Sequence, residues 1–329
     1  MLYCCRHVSK ETGQRKTPRR ISGRIEENMT KQEEIQKLKQ EKDAVILAHY
    51  YVEPEIQEIA DYIGDSFNLS KIAEGLPNRT IVFCGVSFMG ESGKLLCPDK
   101  QVLMPDPDAD CPMAHMVTRE EVEDARKKYP DLAVVCYINS TAEVKTWADV
   151  CVTSANAVKI VKNLPNQNIL FIPDKNLGRF VAQQVPEKHV MLVNGFCPIH
   201  ESMKEEEIKA LKEAHPQAEV LAHPECNARV LEMADYIGST TGIIGYAAKS
   251  EKKEFIIGTE MGVRHELEKQ NPDKTFYFPA TAPICHDMKK ITLDKILHVL
   301  KTGENGASVD ETMTVPAGNT LKRMLELAK

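Results

Sequence analysis

Apolar residues along this chain come in short β-branched and aromatic runs, and the runs recur on a fixed beat. Val45-Ile46-Leu47-Ala48, Ala133-Val134-Val135-Cys136 and Glu219-Val220-Leu221-Ala222 form one matched set. Ile81-Val82-Phe83, Ile169-Leu170-Phe171 and Phe255-Ile256-Ile257 form a second, and Val102-Leu103-Met104, Val190-Met191-Leu192 and Thr275-Phe276-Tyr277-Phe278 a third. Segments of helix-forming residues lie between them, at 54–60, 91–97, 176–184 and 260–269, and a further helix is expected over Lys31–Glu41 with Ile35 and Leu38 on its apolar face. Short apolar runs alternating with segments of helical period predict strands alternating with helices. Each copy reads strand, helix, strand, helix, strand, then a loop. The expected architecture is α/β: three pseudo-threefold-related αβα domains with short parallel sheets and right-handed crossovers, meeting at a central junction.

Polar landmarks keep the same beat. Ala60-Asp61, Ala148-Asp149 and Ala234-Asp235 are 88 and 86 residues apart, and Cys111, Cys197 and Cys285 close the three copies at intervals of 86 and 88. A repeat of this length defines the domain plan before anything else does. The expected divisions are 29–115, 116–202 and 203–290, each near the lower end of domain size. A C-terminal segment, 291–329, is expected to pack a helix near the first repeat and to cover the mouth of the junction around Gly303, Gly306 and Gly318. Residues 1–28 carry seven Lys or Arg with little apolar content. They read as a disordered or non-native extension, with Cys4 and Cys5 outside the register.

Composition narrows the function classes. With 42% hydrophobic and 27% charged residues the chain is ordinary for a globular protein, and a net charge of −6 gives no electrostatic support for nucleic-acid binding. No apolar stretch approaches the twenty or so residues that cross a bilayer, so no membrane role is expected. Ten cysteines without a secretory signal point to a reducing, cytoplasmic setting and to thiol or metal chemistry.

Most of these cysteines have structural explanations: Cys84 and Cys136 fall in apolar strands, where free cysteine behaves as a small hydrophobe. Cys111, Cys197 and Cys285 differ because they share a register. Stacked about one axis, their loops are expected to meet and offer three thiolates. No Cys-x-x-Cys pair occurs, so zinc-ribbon and thioredoxin spacings are absent. Three distant thiolates suit a four-iron cluster with one open iron, able to act as a Lewis acid. Zinc with the three cysteines and His200 or His286 is the alternative.

A second ring of matched positions surrounds the same axis. His49, Tyr137 and His223 fall eleven residues before each Ala-Asp alanine, and Ser66, Ser154 and Thr240 six after it. A hydroxyl there suits a helix N-cap; three in register suggest helix N-termini aimed at an anionic compound.

Ile46-Leu47-Ala48-His49-Tyr50-Tyr51, Gly85-Val86-Ser87-Phe88-Met89-Gly90-Glu91, Val152-Thr153-Ser154-Ala155-Asn156, Pro173-Asp174-Lys175-Asn176-Leu177-Gly178 and His223-Pro224-Glu225 together resemble the quinolinate synthases, the A-protein family of de novo NAD synthesis. The resemblance runs from about Lys31 to the C-terminus. It implies a triplicated α/β fold with a [4Fe-4S] cluster on Cys111, Cys197 and Cys285. It also implies condensation of iminoaspartate with dihydroxyacetone phosphate to quinolinate, with loss of phosphate and two waters. Substrate contacts carry over to His49, Ser66, Tyr137, Ile138, Asn139, Ser154, His223, Pro224, Glu225 and Thr240, and catalytic roles to Tyr51, His200, His223 and Glu225. An aspartate oxidase or dehydrogenase that makes the imine is the implied transient partner. Two other readings stay open on the residues alone: a cluster-dependent hydro-lyase acting on a hydroxy acid, and a non-catalytic, metal-stapled redox sensor.

Overall fold

A computed structural model describes residues 29–329, so the expectations for 1–28 lie outside the described residues. It contains three four-stranded, all-parallel sheets. The first holds β1 (Ala44–His49), β2 (Tyr62–Gly64), β3 (Thr80–Cys84) and β4 (Gln101–Leu103), in the order β2-β1-β3-β4. The second holds β5 (Ala133–Tyr137), β6 (Val150–Val152), β7 (Asn168–Ile172) and β8 (His189–Leu192), in the order β6-β5-β7-β8. The third holds β9 (Glu219–Ala222), β10 (Tyr236–Ile237), β11 (Glu254–Gly258) and β12 (Thr275–Tyr277), in the order β10-β9-β11-β12. The three αβα units with parallel sheets are those the apolar rhythm predicts.

Each sheet has one strand more than the pattern announced. β2, β6 and β10 fall on the repeated landmark itself, and two or three residues are too few to display a period. Each is followed by a helix, Ser66–Gly75, Ala157–Asn163 and Thr240–Lys249. The central strands are buried on both faces, with Ile46, Leu47, Val134, Val135, Ile256 and Ile257 inaccessible to solvent. Burying each such side chain stabilises the fold by about 1.5–3 kcal/mol.

The Ala-Asp landmark turns out to be a strand clamp. Asp61 accepts from the Ile46 N–H at 2.7 Å, Asp149 from Val134 at 2.7 Å and Asp235 from Val220 at 2.8 Å. A cation from the first helix of each copy meets the carboxylate: Lys39 at 2.7 Å, Arg126 at 3.1 Å and Lys212 at 3.3 Å. The beat therefore marks where the edge strand is tied to its neighbour, and that tie fixes the register of the residues at the strand end.

The helix Lys31–Glu41 forms as predicted, with a Thr30–Glu33 capping box at its start. At the other end of the chain, Leu293–Thr302 packs on that helix, whereas Glu311–Leu327 packs against Ser87–Leu96, Ala142–Thr146 and β6. The expected cover over the junction is not found among the described residues: those beyond Met288 are absent from the lining of the central cavity. The last helix instead lies across the first and second units and buries Ala317, Leu321 and Met324 there. No helix among the described residues is long and apolar enough to cross a membrane.

Candidate active site

In open parallel sheets, ligands bind beyond the carboxyl ends of the strands. Here three such ends face one another around a cavity of about 160 Å³. β1 delivers His49 and, two residues on, Tyr51. β5 delivers Tyr137 and Asn139, and β9 delivers His223 and Glu225. All six line the cavity, as do Ser66, Ser154, Thr240, His200, His286 and the cysteines Cys111, Cys197 and Cys285. Ile138 and Pro224, expected among the substrate contacts, are buried beside it and do not line it.

The hydroxyls at Ser66 and Thr240 are not helix caps. Asp65 caps the first of these helices by accepting from the Asn68 N–H at 3.0 Å, and Ser239 caps the other by accepting from Gly242 at 3.1 Å. Ser66 and Thr240 therefore sit one residue inside the helix, and both line the cavity, Thr240 with its hydroxyl 2.8 Å from that of Tyr51. Together with the first-turn amides they form an environment that favours an anion. Ser154 Oγ lies 3.1 Å from His223 Nε2.

Two histidines are set by their own chain. The Tyr51 N–H donates to His49 Nδ1 at 3.2 Å, and the Glu225 N–H to His223 Nδ1 at 3.3 Å. An amide that donates to Nδ1 leaves the proton of a neutral imidazole on Nε2, so each ring presents an N–H donor on its other side. Burial lowers both: His49 falls to about 4, and His223 is lowered by burial more than the nearby Glu225 charge raises it. Burial likewise pushes the Tyr51 and Tyr137 phenols well up, reinforced by the charge of Glu225. These rings are neutral hydrogen-bonding groups at neutral pH. Glu225 is the charged member. Burial pushes its carboxyl up, but the imidazoles of His223 and His200 outweigh that and hold it below the usual carboxylate range.

The metal ligands differ from the expected set. Among the described residues, the only group of His, Cys, Asp and Glu donor atoms lying within 4.8 Å of one another is Cys197, His200 and Glu225. His200 Nδ1 lies 3.2 Å from Cys197 Sγ and 2.9 Å from Glu225 Oε2. The three-cysteine ligand set, and the [4Fe-4S] cofactor with an open iron built on it, is corrected accordingly. The physical reason lies in the loops. Cys111 and Cys285 reach the cavity wall from the first and third units, but only Cys197 is followed, one helical turn on, by a histidine that meets Glu225; the matching residues are Ala114 and Met288. One thiol, one imidazole and one carboxylate make a mixed donor set of the kind that holds a single borderline-soft cation. Burial pushes all three cavity thiols up, Cys285 to about 11, so a metal taken up on Cys197 displaces a proton.

Several groups that line or support the cavity are not among the site residues the sequence predicts. Glu260 is inaccessible to solvent; it accepts from the Gly262 N–H at 2.6 Å and the Cys285 N–H at 3.0 Å, and lies 3.4 Å from Lys289 Nζ. Lys289 in turn donates to the Tyr51 carbonyl at 2.8 Å. Gly262 packs so closely on Tyr50 and Tyr51 that a Cβ there would stand 2.7 Å from their backbone. Glu260 shares a register with Val86 and Asp174, a signal available in the sequence but masked because Val86 is apolar. Asp65 stands in register with Thr153 and Ser239, a set that is polar in all three copies, whereas Thr259, opposite Gly85 and Pro173, carries no such signal.

A family model described as "NadA: Quinolinate synthetase A protein" matches residues 33–326. A quinolinate synthase of Caldicellulosiruptor saccharolyticus is 52% identical over 295 residues, covering 90% of this chain and 97% of that protein. Those of Fusobacterium nucleatum and Clostridioides difficile are 52% identical over 294 residues and 50% over 296. They cover 89% and 90% of this chain, and 98% and 97% of their own lengths.

Proposed function

The chain belongs to the quinolinate synthetase A family of enzymes, and on that premise we propose that it condenses iminoaspartate with dihydroxyacetone phosphate to quinolinate, releasing phosphate and two waters. The observation that carries this reading is the convergence of His49, Tyr137 and His223, with the hydroxyls of Ser66, Ser154 and Thr240, on one small cavity. A compound dense in carboxylate and phosphate needs many neutral donors, with few fixed cations to trap the product. That is the balance found here.

In the proposed reaction, the helix-end hydroxyls and amides hold the phosphate of the triose and then the carboxylates. His49 donates from Nε2 to a substrate oxygen. The enamine form of iminoaspartate displaces phosphate, forming the first carbon–carbon bond. Glu225, ionised and flanked by His223, takes the proton that must move to interconvert ketone and aldehyde, and Tyr51 donates a proton to the departing hydroxyl. Ring closure forms the carbon–nitrogen bond, and the second water leaves as the ring becomes aromatic. A metal ion held by Cys197, His200 and Glu225 would polarise a substrate oxygen. The imine hydrolyses readily, so an aspartate-oxidising enzyme must supply it close by.

The test is turnover under anaerobic conditions with iminoaspartate generated in place and the triose phosphate added, quinolinate being detected by mass. A requirement for both substrates supports the reading. Turnover of a hydroxy acid alone would replace it with a hydro-lyase.

A further inference from the structure

Cys136 and Cys151 face each other across β5 and β6 as directly paired residues of the parallel ladder, and both are inaccessible to solvent. The same position in the other two sheets pairs Ala48 with Ile63 and Ala222 with Ile237. A small and a large apolar residue therefore satisfy the packing, and two thiols stand there in one copy only. Lys145, also inaccessible, sits beside them: its ammonium donates to the Ser140 carbonyl and lies 5.6 Å from the centre of the Phe88 ring. No carboxylate oxygen among the described residues comes within 4.0 Å of it. A buried cation without a counter-ion is costly, and a thiolate of this pair is the anion within its reach. We propose that Cys136 and Cys151 form an oxidisable dithiol, a modification site for a hydroperoxide, whose disulfide reversibly disables the cavity next to it.

Neighbouring strands run about 4.7–4.9 Å apart, inside the Cα separation of about 4.4–6.8 Å that a disulfide spans. Burial raises the Cys151 thiol, but Cys136, Lys145 and Thr320 outweigh it and hold it below its ordinary value, whereas burial pushes Cys136 well up. Cys151 is therefore the attacking sulfur and Cys136 the resolving one. The Cys151 thiolate takes an oxygen from the hydroperoxide; the O–O bond breaks, and the departing alkoxide takes up the proton that Cys151 released. Cys136 then attacks the sulfenic acid: the S–S bond forms, the S–O bond breaks, and hydroxide leaves as water with the Cys136 proton. Two thiols lose two electrons and the peroxide gains them. A dithiol reverses the change by exchange. Access lies under the last helix, Glu311–Leu327, where the Thr320 hydroxyl covers Cys151 Sγ at 3.1 Å. The start of that helix is largely exposed, and Pro316 deprives it of a main-chain bond. Lifting it admits the peroxide. In the reduced pair the Cys136 thiol donates to the Tyr137 carbonyl at 3.3 Å. Closing an S–S bond of about 2.05 Å removes that donor and pulls on both strand ends. One runs into Tyr137, the other through Val152 and Thr153 into Ser154, and both Tyr137 and Ser154 line the cavity. The link to turnover rests on the proposed reaction; the thiol chemistry does not.

The test titrates the full chain, purified anaerobically, with hydrogen peroxide, then denatures it in an alkylating agent and digests it for mass mapping. The expected product is one peptide pair joining Cys136 to Cys151, lighter by two hydrogen atoms and released by dithiothreitol. Quinolinate formation should fall by about five-fold or more as this crosslink accumulates, and return with the reductant. Cys136→Ala with Cys151→Ile copies the pairing of the other two sheets; it should form no such crosslink and lose no activity that a dithiol restores. Should that variant not fold, Cys136→Ala alone serves, with Cys151 then stopping at the sulfenic acid and trapped by dimedone. Pro316→Ala should slow crosslinking by about three-fold or more. Alkylated, unlinked Cys136 and Cys151 after peroxide, a crosslinked protein with full activity, dithiol-reversible inhibition that persists in the double variant, or an unchanged rate in Pro316→Ala would each overturn the proposal. The mass map needs no turnover, so a crosslink in protein that makes no quinolinate would sink the choice of substrates and leave the dithiol standing.

Discussion

Replacing Glu260 by leucine tests whether the first and third units are held in register by a buried charge. The carboxylate is inaccessible to solvent and serves three donors: the amides of Gly262 and Cys285 and the ammonium of Lys289. Leucine leaves both amides without a partner and the ammonium with only the Tyr51 carbonyl. Removing one member of a buried pair destabilises by about 3–5 kcal/mol. For roughly 300 ordered residues the entropy of unfolding makes that a fall in Tm of about 5–8 °C. Glutamine keeps one acceptor oxygen and should lose about 2–3 kcal/mol, or roughly 3–5 °C. The pH dependence has a definite sign. Burial raises the folded-state pKa of Glu260 more than Lys289 lowers it. The folded protein therefore binds the proton more readily than the unfolded chain, and the wild type gains stability as pH falls through the raised value towards 4.5. The amide of the Glu260→Gln variant cannot titrate. The Tm gap between wild type and that variant should therefore widen from pH 7.5 to pH 5, as read by scanning calorimetry. A double-mutant cycle with Lys289→Met should show coupling above about 0.5 kcal/mol. A leucine variant as stable as wild type, or a gap that narrows on acidification, would refute the clamp.

Because Asp65 and Ser239 do the capping, Ser66→Ala and Thr240→Val should raise KM for the phosphate substrate with Tm nearly unchanged, whereas Asp65→Ala should destabilise by about 1 kcal/mol; steady-state kinetics beside thermal melts separate the two. Asp149→Ala removes a strand clamp and its Arg126 partner and should lower stability by about 1–3 kcal/mol while leaving KM unchanged, since Asp149 does not line the cavity. His49, lowered from 6.5 to about 4 by burial, makes the unfolded chain bind the proton first, so its contribution to stability should be level above pH 6.5 and fall between pH 6.5 and 4; His49→Asn should remove that contribution from the urea-unfolding profile, and an unaltered slope would remove His49 as its source.

What the sequence made legible was whatever the fold repeats. Symmetry places equivalent residues at equivalent ends, so a beat of 86 or 88 residues locates His49, Tyr137 and His223, the three hydroxyls and the three cysteines. The same logic also misled. Equal register suggests equal role, and three cysteines at matched loop ends suggest one ligand set. Symmetry brings matched residues to the same axis but says nothing of which donor atoms come within ligand distance. That is decided by residues without counterparts: His200, where the other copies carry Ala114 and Met288, and Glu225, where they carry Tyr51 and Asn139. Thr259, opposite Gly85 and Pro173, belongs to the same class. A scaffold of three like units supplies three like walls, yet acid–base chemistry needs unlike groups facing one another, so it must reside where the repeat is broken. In this chain the register points to the cavity. The departures from register indicate which of its walls carry charge and which could hold a metal ion.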